Sequence, residues 1–157
     1  MAWFGSRSCL QHIDRSFQVE ISTIQPSSVV RDLDVYQDTD LTMKQHVAKI
    51  AAACFYHIYR LRQVRRLVGQ EITQQLFQAL IASRLDYCNR VFAGRPKATL
   101  EPLQRLQNAA ARLVFNLGRF DHVRPSLIQL RWLRVNYRIK FNLCLLAHVI
   151  YYGRSPT

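Results

Sequence analysis

The sequence predicts a mainly α-helical protein in which about five helices follow a small β-ribbon. After residue 41, apolar residues recur every three or four positions, which places them on one face of a helix. Gly69, Gly94, Pro96 and Gly118 interrupt this pattern and divide it into separate helices. Before residue 41, apolar residues alternate with polar ones instead, which is typical of a half-buried strand.

Two β-prone runs form the predicted ribbon. Phe17, Val19 and Ile21 alternate with polar residues, Pro26 ends the run, and residues 29–36 are again β-prone. We expect these two runs to pair with each other.

The helices are expected to begin after Asp38, Thr39 and Asp40, whose side chains can accept hydrogen bonds from the free N–H groups of a helix start. This predicts a ribbon-containing segment at 1–40 and a helical domain at 41–157. The second to fifth helices are expected at about 70–92, 99–117, 125–133 and 137–152. The predicted core face of the first helix comprises Met43, Val47, Ile50, Cys54, Leu61, Val64 and Val68.

The charge of the chain is concentrated in its later part. The net charge is +12, and residues 1–40 hold 3 Lys/Arg against 6 Asp/Glu, so residues 41–157 carry 19 against 4, or +15. A field of this sign favours polyanions, and phosphate contacts gain further from counterion release. Nucleic acid is therefore the predicted partner, and an anionic membrane surface is the alternative that the same charge would serve.

Cysteine usage and hydropathy indicate an intracellular protein of the nucleus or cytoplasm. The four cysteines form no CxxC pair, so neither a zinc site nor a disulfide framework is predicted, and we expect them to be small buried hydrophobes. No secretion signal or membrane span is expected, because Arg7 precedes any apolar run and the apolar stretch at 141–152 is short.

No catalytic constellation is evident. The acidic cluster of Asp32, Asp34, Asp38 and Asp40 lacks the glycine and glutamate that a calcium loop would need, so we interpret it as turn and cap residues rather than a metal site. The five histidines do not pair at metal-ligand spacing, and no glycine-rich phosphate loop is present. We therefore predict no catalytic residue, no metal site and no cofactor in this chain.

Two groups of basic residues are the candidate binding residues. In the first helix, Phe55, Tyr59, Arg62 and Arg66 fall on one stripe opposite the predicted core face. Rings interleaved with arginines suit a nucleic-acid backbone or stacked bases, and a solvated face with two half-buried rings is the alternative. The candidate nucleic-acid-binding residues of this group are Tyr59, Arg60, Arg62, Arg65 and Arg66.

The second group flanks Trp132 and Tyr137 in a similar manner. Its candidate nucleic-acid-binding residues are Arg131, Arg134, Arg138 and Lys140.

Four strings carry a resemblance to a known family. They are VVRDLDVYQDTDLTMKQHV at 29–47, SRLDYCN at 83–89, LEPLQRLQNAAARLV at 100–114 and HVRPSLIQLRWLRVNYRIKF at 122–141, and WFGSR at 3–7 agrees with them. Together they resemble the region after the catalytic palm in reverse transcriptases of non-LTR retrotransposons, of the LINE type that includes jockey-like elements.

The resemblance implies a supporting role in an RNA-directed DNA polymerase. Its catalytic aspartates, in an (F/Y)xDD motif that holds two Mg²⁺ ions, would belong to a palm and fingers domain upstream of residue 1. No such aspartate pair is present here, so polymerisation by this chain alone is not expected. Residues 1–40 would form the tail of the palm with a primer-grip-like ribbon, and residues 41–157 a thumb that holds template and primer by their backbones.

This chain departs from the family pattern at two positions. Asp34 stands where the family has a glycine, which removes easy access to positive φ. Arg134 stands where the family has a proline. Three hypotheses remain open: a thumb-like fragment of a reverse transcriptase, an independent small nucleic-acid-binding protein derived from such an element, and a non-functional relic reading frame.

Overall fold

The computed structural model describes residues 17–19, 22–24, 27–87 and 89–153. The chain divides into two compact units, Met1–His46 and Val47–Thr157. Strands come first and helices make up the rest, which confirms the predicted mainly α fold with a preceding β-ribbon. The WFGSR string, Cys9 and Cys88 lie outside the described residues.

The strands form two separate antiparallel hairpins rather than one ribbon. β1 (Phe17–Val19) pairs with β2 (Ser22–Ile24), and β3 (Val29–Asp32) pairs with β4 (Val35–Asp38). The predicted pairing of the 17–21 run with the 29–36 run is therefore wrong. The physical reason is that strands which follow each other closely in the chain pair by closing a short loop, and this costs less entropy than closing a long one.

Leu33 and Asp34 form the two-residue turn of the second hairpin. Both have positive φ, at 44° and 64°. A two-residue turn needs positive φ at both positions to match the twist of the strands, and Asn-Gly or Asp-Gly usually supplies it. Asp34 thus adopts the conformation that the missing glycine would have made easy, and Arg31 forms an exposed ion pair with its carboxylate.

Asp38 binds the backbone just before the first helix, whereas the prediction was that it would accept from the N–H groups of the helix itself. Its carboxylate accepts hydrogen bonds from the Met43 N–H, at 3.3 Å, and from the Thr42 hydroxyl. Burial acts to raise the pKa of Asp38, but these hydrogen bonds outweigh burial and hold the pKa below its ordinary value. Helix α1 (Lys44–Phe77) begins just beyond.

Gly69 divides α1 into two helices that meet at a kink, as the sequence predicts. Its backbone (φ 75°, ψ −177°) is non-helical, and helix resumes immediately. A π-helical turn (Gln78–Ala82) and the short helix α2 (Ser83–Asp86) follow. The predicted extension to residue 92 is wrong, because Tyr87 has an extended ψ of 121° and a 3₁₀ turn (Asn89–Phe92) follows.

The remaining helices are α3 (Lys97–Phe115), α4 (Arg124–Gln129) and α5 (Val135–Tyr151). Each agrees with a predicted helix and begins one or two residues earlier than expected, and Pro125 lies in the first turn of α4 as predicted. A buried cluster between α3 and α4 comprises Ala111, Val114, Val123, Leu127 and Leu130.

The core face of α1 is close to the predicted one. Met43, Val47, Cys54 and Leu61 are buried, as are Ala51 and Ile58, which were not predicted. The prediction that Val64 belongs to the core face is wrong, because Val64 is 37% exposed. The neighbouring residue Arg65 is half-buried and continues the face instead. Among the described cysteines, Cys54 is buried as expected, whereas Cys144 is exposed, contrary to prediction.

Candidate nucleic-acid interface

The first basic stripe lies at the surface of α1. Tyr59 is 62% exposed and Phe55 is 41% exposed, and Arg62 and Arg66 are exposed as well. Arg60 is also exposed but is offset by about 100° or more from this stripe. The rings of the stripe are therefore available to solvent rather than half-buried in the core.

Arg65 has a different environment from its neighbours. It is half-buried, and its guanidinium donates from Nε to the carbonyl oxygen of Leu113, at 3.1 Å, and from Nη2 to that of Val114, at 2.9 Å. The last carbonyl groups of a helix have no intrahelical partner and form the negative end of its dipole. Arg65 thus joins α1 to the end of α3.

The contact made by Arg65 brings two groups of arginines together around one cleft, which we call the arginine cleft. It has a volume of about 640 Å³. The residues that line it are Arg62, Gln63, Arg65 and Arg66 of α1 and Arg112, Leu113, Asn116, Leu117 and Arg119 at the end of α3. Among the residues that the structure describes, no acidic side chain lines the cleft, so its charged side chains are all positive.

A well-defined helix end places the far wall of this cleft. Asn116 adopts the left-handed conformation (φ 53°) that often ends a helix, and the Leu117 N–H donates to the Arg112 carbonyl at 2.9 Å. The next turn is closed by Asp121, whose carboxylate accepts from the Gly118 N–H at 2.6 Å. Arg119 therefore lies in a turn that is held at the end of α3 by the Leu117 N–H and on its other side by the Asp121 carboxylate.

Sequence reasoning missed Arg112 and Arg119. Both line the arginine cleft, but neither lies near the basic run at 60–66 in the chain. The contact that brings them there spans 48 and 49 residues. No local pattern carries that information, and a search for unpaired arginines at helix ends is the one signal that would have marked them.

The second basic group contains one arginine that is already paired. Arg138 Nε lies 2.5 Å from Asp86 Oδ1, and Arg138 Nη2 donates to Asp86 Oδ2 at 2.5 Å. Two parallel hydrogen bonds of this kind are the strongest form of ion pair between side chains. Arg138 therefore joins α5 to α2, and its charge is balanced by Asp86.

The rest of the second group is divided between two clefts. Arg131 and Trp132 line one cleft together with residues of α1. Arg134 and Tyr137 line another, of about 420 Å³, together with the first turn of α3. Lys140 is exposed and lines neither. The structure thus does not bring Arg131, Arg134, Arg138 and Lys140 onto one surface.

Two glutamines of α3 hold the start of α5 in place. Gln107 is buried and donates from Nε2 to the Leu133 carbonyl at 2.7 Å, and Gln104 Oε1 accepts from the Val135 N–H at 3.1 Å. The Gln104 amide also donates to Gln107 Oε1 at 3.0 Å. This network fixes the backbone on both sides of Arg134.

Nothing in the described part of the chain adds a nucleophile or a metal centre to these clefts. Burial raises the pKa of the Cys54 thiol to about 11, with Arg84 acting in the opposite direction, so Cys54 stays a protonated thiol at neutral pH. Across residues 27–87 and 89–153, no three His, Cys, Asp or Glu side chains are grouped as metal ligands. No helix among the described residues is long and apolar enough to cross a membrane.

Comparison of the chain with models of protein families, with curated proteins and with solved structures produced no match. The candidate interface therefore rests on its own geometry and charge.

Proposed function

We propose that this chain binds nucleic acid through the arginine cleft, holding the phosphate backbone of a template–primer duplex as the thumb of a non-LTR retrotransposon reverse transcriptase would. One observation carries the proposal. Five arginines, four from two helices and one from the turn after α3, line a single cleft with no acidic residue in its walls among the residues that the structure describes. Such a concentration of like charge is costly unless an anion offsets it.

Arginine is suited to phosphate because its planar guanidinium presents several N–H donors in a fixed fork. Arg62, Arg66 and Arg119 are exposed and have donors available to a ligand that enters the cleft from solvent. Arg65 has a positioning role, since two of its donors are used on α3. Contacts of this kind fix the duplex without reading its bases, so binding is expected to be independent of sequence.

The stripe on α1 extends the binding surface beyond the cleft. Tyr59 and Phe55 lie one and two turns before Arg62 on the same side of the helix. Exposed rings next to a phosphate-binding cleft offer stacking surfaces to unpaired bases at the end of a duplex. This arrangement favours nucleic acid over an anionic membrane, which would need no ordered stripe of rings.

The wider assignment to a reverse transcriptase rests on the resemblance described above. It is supported by the way the resembling strings meet in the fold. Asp86 of the second string pairs with Arg138 of the fourth, and Gln107 of the third donates to Leu133 of the fourth. Polymerase chemistry and its Mg²⁺ are proposed only for the parent enzyme, because this sequence has no aspartate pair to hold them.

The proposal is tested by the affinity of the whole chain for a fluorescein-labelled RNA–DNA hybrid, measured by anisotropy. Arg66→Gln combined with Arg119→Gln is expected to weaken binding about tenfold for each arginine lost, since a hydrogen bond to a charged group contributes about 1.5 kcal/mol. The matched control is Arg84→Gln combined with Arg90→Gln, which removes the same charge from exposed positions outside the cleft. An equal loss of affinity in both double variants would contradict the proposal.

A further inference from the structure

A second cleft lies beside the end of α1. It has a volume of about 920 Å³ and is bordered by α1, the turn after α4 and the first half of α5. We call it the glutamine cleft, because Gln74, Gln75 and Gln78 line one wall and Asn142 lines another. Side-chain amides both donate and accept hydrogen bonds, which fits them to ligands with mixed polar edges rather than to a bare anion.

Aromatic rings complete this cleft. Trp132 is half-buried and stacks on Phe77, with ring centroids 4.2 Å apart and an interplanar angle of 29°. That contact fixes the position of the indole on the protein core. Phe141 lines the cleft as well and is 57% exposed. A fixed indole and an exposed phenyl ring are surfaces on which a planar ligand stacks at little entropic cost.

The backbone at Arg131 is the most informative feature of the cleft. Arg131 has a φ of 56°, and it follows α4 at the position where a glycine usually ends a helix. Its N–H donates to the Ile128 carbonyl and the Trp132 N–H to the Leu127 carbonyl, both at 2.9 Å. This hydrogen-bond pattern enforces the left-handed conformation, which a glycine would adopt with less strain than an arginine.

The side chain of Arg131 thus occupies a conformationally costly position that the fold does not require. It is exposed, lines the glutamine cleft, and has no hydrogen bond or ion pair with the residues that the structure describes. Backbone strain of this kind is typical of residues kept for a ligand. Arg138, in contrast, is balanced by Asp86 and brings no free charge to the cleft. Glu71 also lines the cleft and carries a negative charge, so a phosphate is held on the Arg131 side.

We propose that the glutamine cleft binds an unpaired nucleotide of a single-stranded segment. The base stacks against Trp132 and Phe141, the glutamine amides pair with its polar edge, and Arg131 holds its phosphate. Glutamine and asparagine amides match the paired donor and acceptor of adenine in particular. The inference rests on the proposed function, since it assumes that the chain binds nucleic acid, and it adds a site that contacts bases to one that contacts phosphates.

The test compares two single-stranded oligonucleotides of equal length and charge, one of adenine deoxynucleotides and one of abasic residues. The whole chain is expected to bind the adenine strand at least about tenfold more tightly, since stacking on aromatic side chains contributes this much for each base. Gln74→Ala combined with Gln78→Ala should reduce this preference, because the amides no longer pair with the polar edge of the base. These positions are exposed on a helix, where alanine is well tolerated. Gln45→Ala combined with Gln70→Ala is the matched control outside the cleft and should keep the preference.

The outcomes separate this inference from the proposed function. Equal affinity for both strands would overturn the inference and leave phosphate binding in place. A preference for bases that is undiminished in the Gln74 and Gln78 variant would also overturn it, because the base would then be bound elsewhere. Failure to bind either strand would overturn the proposed function, and the inference with it.

Arg131→Gly provides a second, independent measurement. Glycine relieves the left-handed backbone, so the midpoint of thermal unfolding is expected to rise, while affinity for the adenine strand falls severalfold. A loss of binding by a more stable protein does not arise from misfolding. Unchanged affinity in a variant with a raised midpoint would overturn the role of Arg131.

Discussion

Arg138 and Asp86, 52 residues apart in the sequence, form a two-point ion pair with both contacts at 2.5 Å. The pair joins α5 to α2, and the exposed fractions of the two side chains are only 21% and 35%. It shows that part of the positive charge of this chain stabilises the fold. The charge that remains for a ligand is concentrated elsewhere, in the arginine cleft and at Arg131.

The first prediction concerns this pair. Asp86→Asn should lower the free energy of unfolding by about 1–3 kcal/mol, because it leaves the partly buried guanidinium of Arg138 without its counter-charge. Glu101→Gln should change it by less than about 0.5 kcal/mol, because the Arg105–Glu101 pair is exposed to solvent. Urea denaturation followed by circular dichroism gives both values. Similar changes in the two variants would show that the Asp86 pair is an ordinary surface contact.

Arg65 and Arg66 are neighbours with different roles, and the second prediction separates them. Arg65→Met should lower the free energy of unfolding by about 1.5–3 kcal/mol, because two carbonyl groups at the end of α3 each lose one hydrogen bond. Arg66→Met should change it by less than about 0.5 kcal/mol, because Arg66 is exposed and makes no such contact with the described residues. The same denaturation experiment measures both. An equal effect of the two substitutions would contradict the positioning role of Arg65.

The helices could be predicted because their signals are local. Periodicity and the breaks at Gly69, Gly94 and Gly118 placed α3, α4 and α5 to within two residues at their first positions. The strand pairing was harder to predict, because the β-prone runs at 17–21 and 29–36 do not show where the chain turns. The turn at Leu33 could not be recognised from the sequence, because leucine rarely adopts positive φ and is not a typical turn residue.

The candidate site was predicted only in part, for a related reason. The basic run at 60–66 and its exposed stripe follow from spacing on one helix. The opposite wall of the arginine cleft does not, because Arg112 and Arg119 reach it only through the packing of α3 on α1. The pairing of Arg138 with Asp86 was equally hidden, and so was the division of Arg131 and Arg134 between two clefts.

The third prediction concerns the strained turn at Leu33. Leu33→Asn should stabilise the β3–β4 hairpin by about 1 kcal/mol, because asparagine tolerates positive φ and Leu33 is 78% exposed, so little burial is lost. Leu33→Val should destabilise it, because a branched Cβ clashes in this conformation. Hydrogen exchange at the Val30 and Gln37 amides, which face each other as a hydrogen-bonded pair of the hairpin, reports on it directly. Slower exchange in the valine variant than in the asparagine variant would rule out this account of the turn.

The fourth prediction concerns pH. Burial lowers the pKa of His46, with Asp34 acting in the opposite direction, and the Tyr36 N–H donates to His46 Nδ1 at 3.5 Å. Because the folded pKa lies below the unfolded value of about 6.5, the stability from neutral His46 is fully present above that pH and is lost as pH falls below it. The exchange rate of the Tyr36 amide, divided by the rate of an unprotected amide at the same pH, should therefore rise as pH is lowered from 7.5 to 5.5. His46→Gln should remove this extra dependence, and its persistence in that variant would assign it to another group.

The dependence of binding on salt tests the central claim most directly, that the arginine cleft holds nucleic-acid phosphates. The logarithm of the association constant for a duplex falls with the logarithm of salt concentration by about 0.9 for each phosphate that the protein neutralises. Replacing Arg62, Arg66 and Arg119 with glutamine should therefore reduce this slope by about 2–3 relative to the unmodified chain. Identical slopes for the two proteins would contradict the claim, because the phosphates would then be bound outside the cleft.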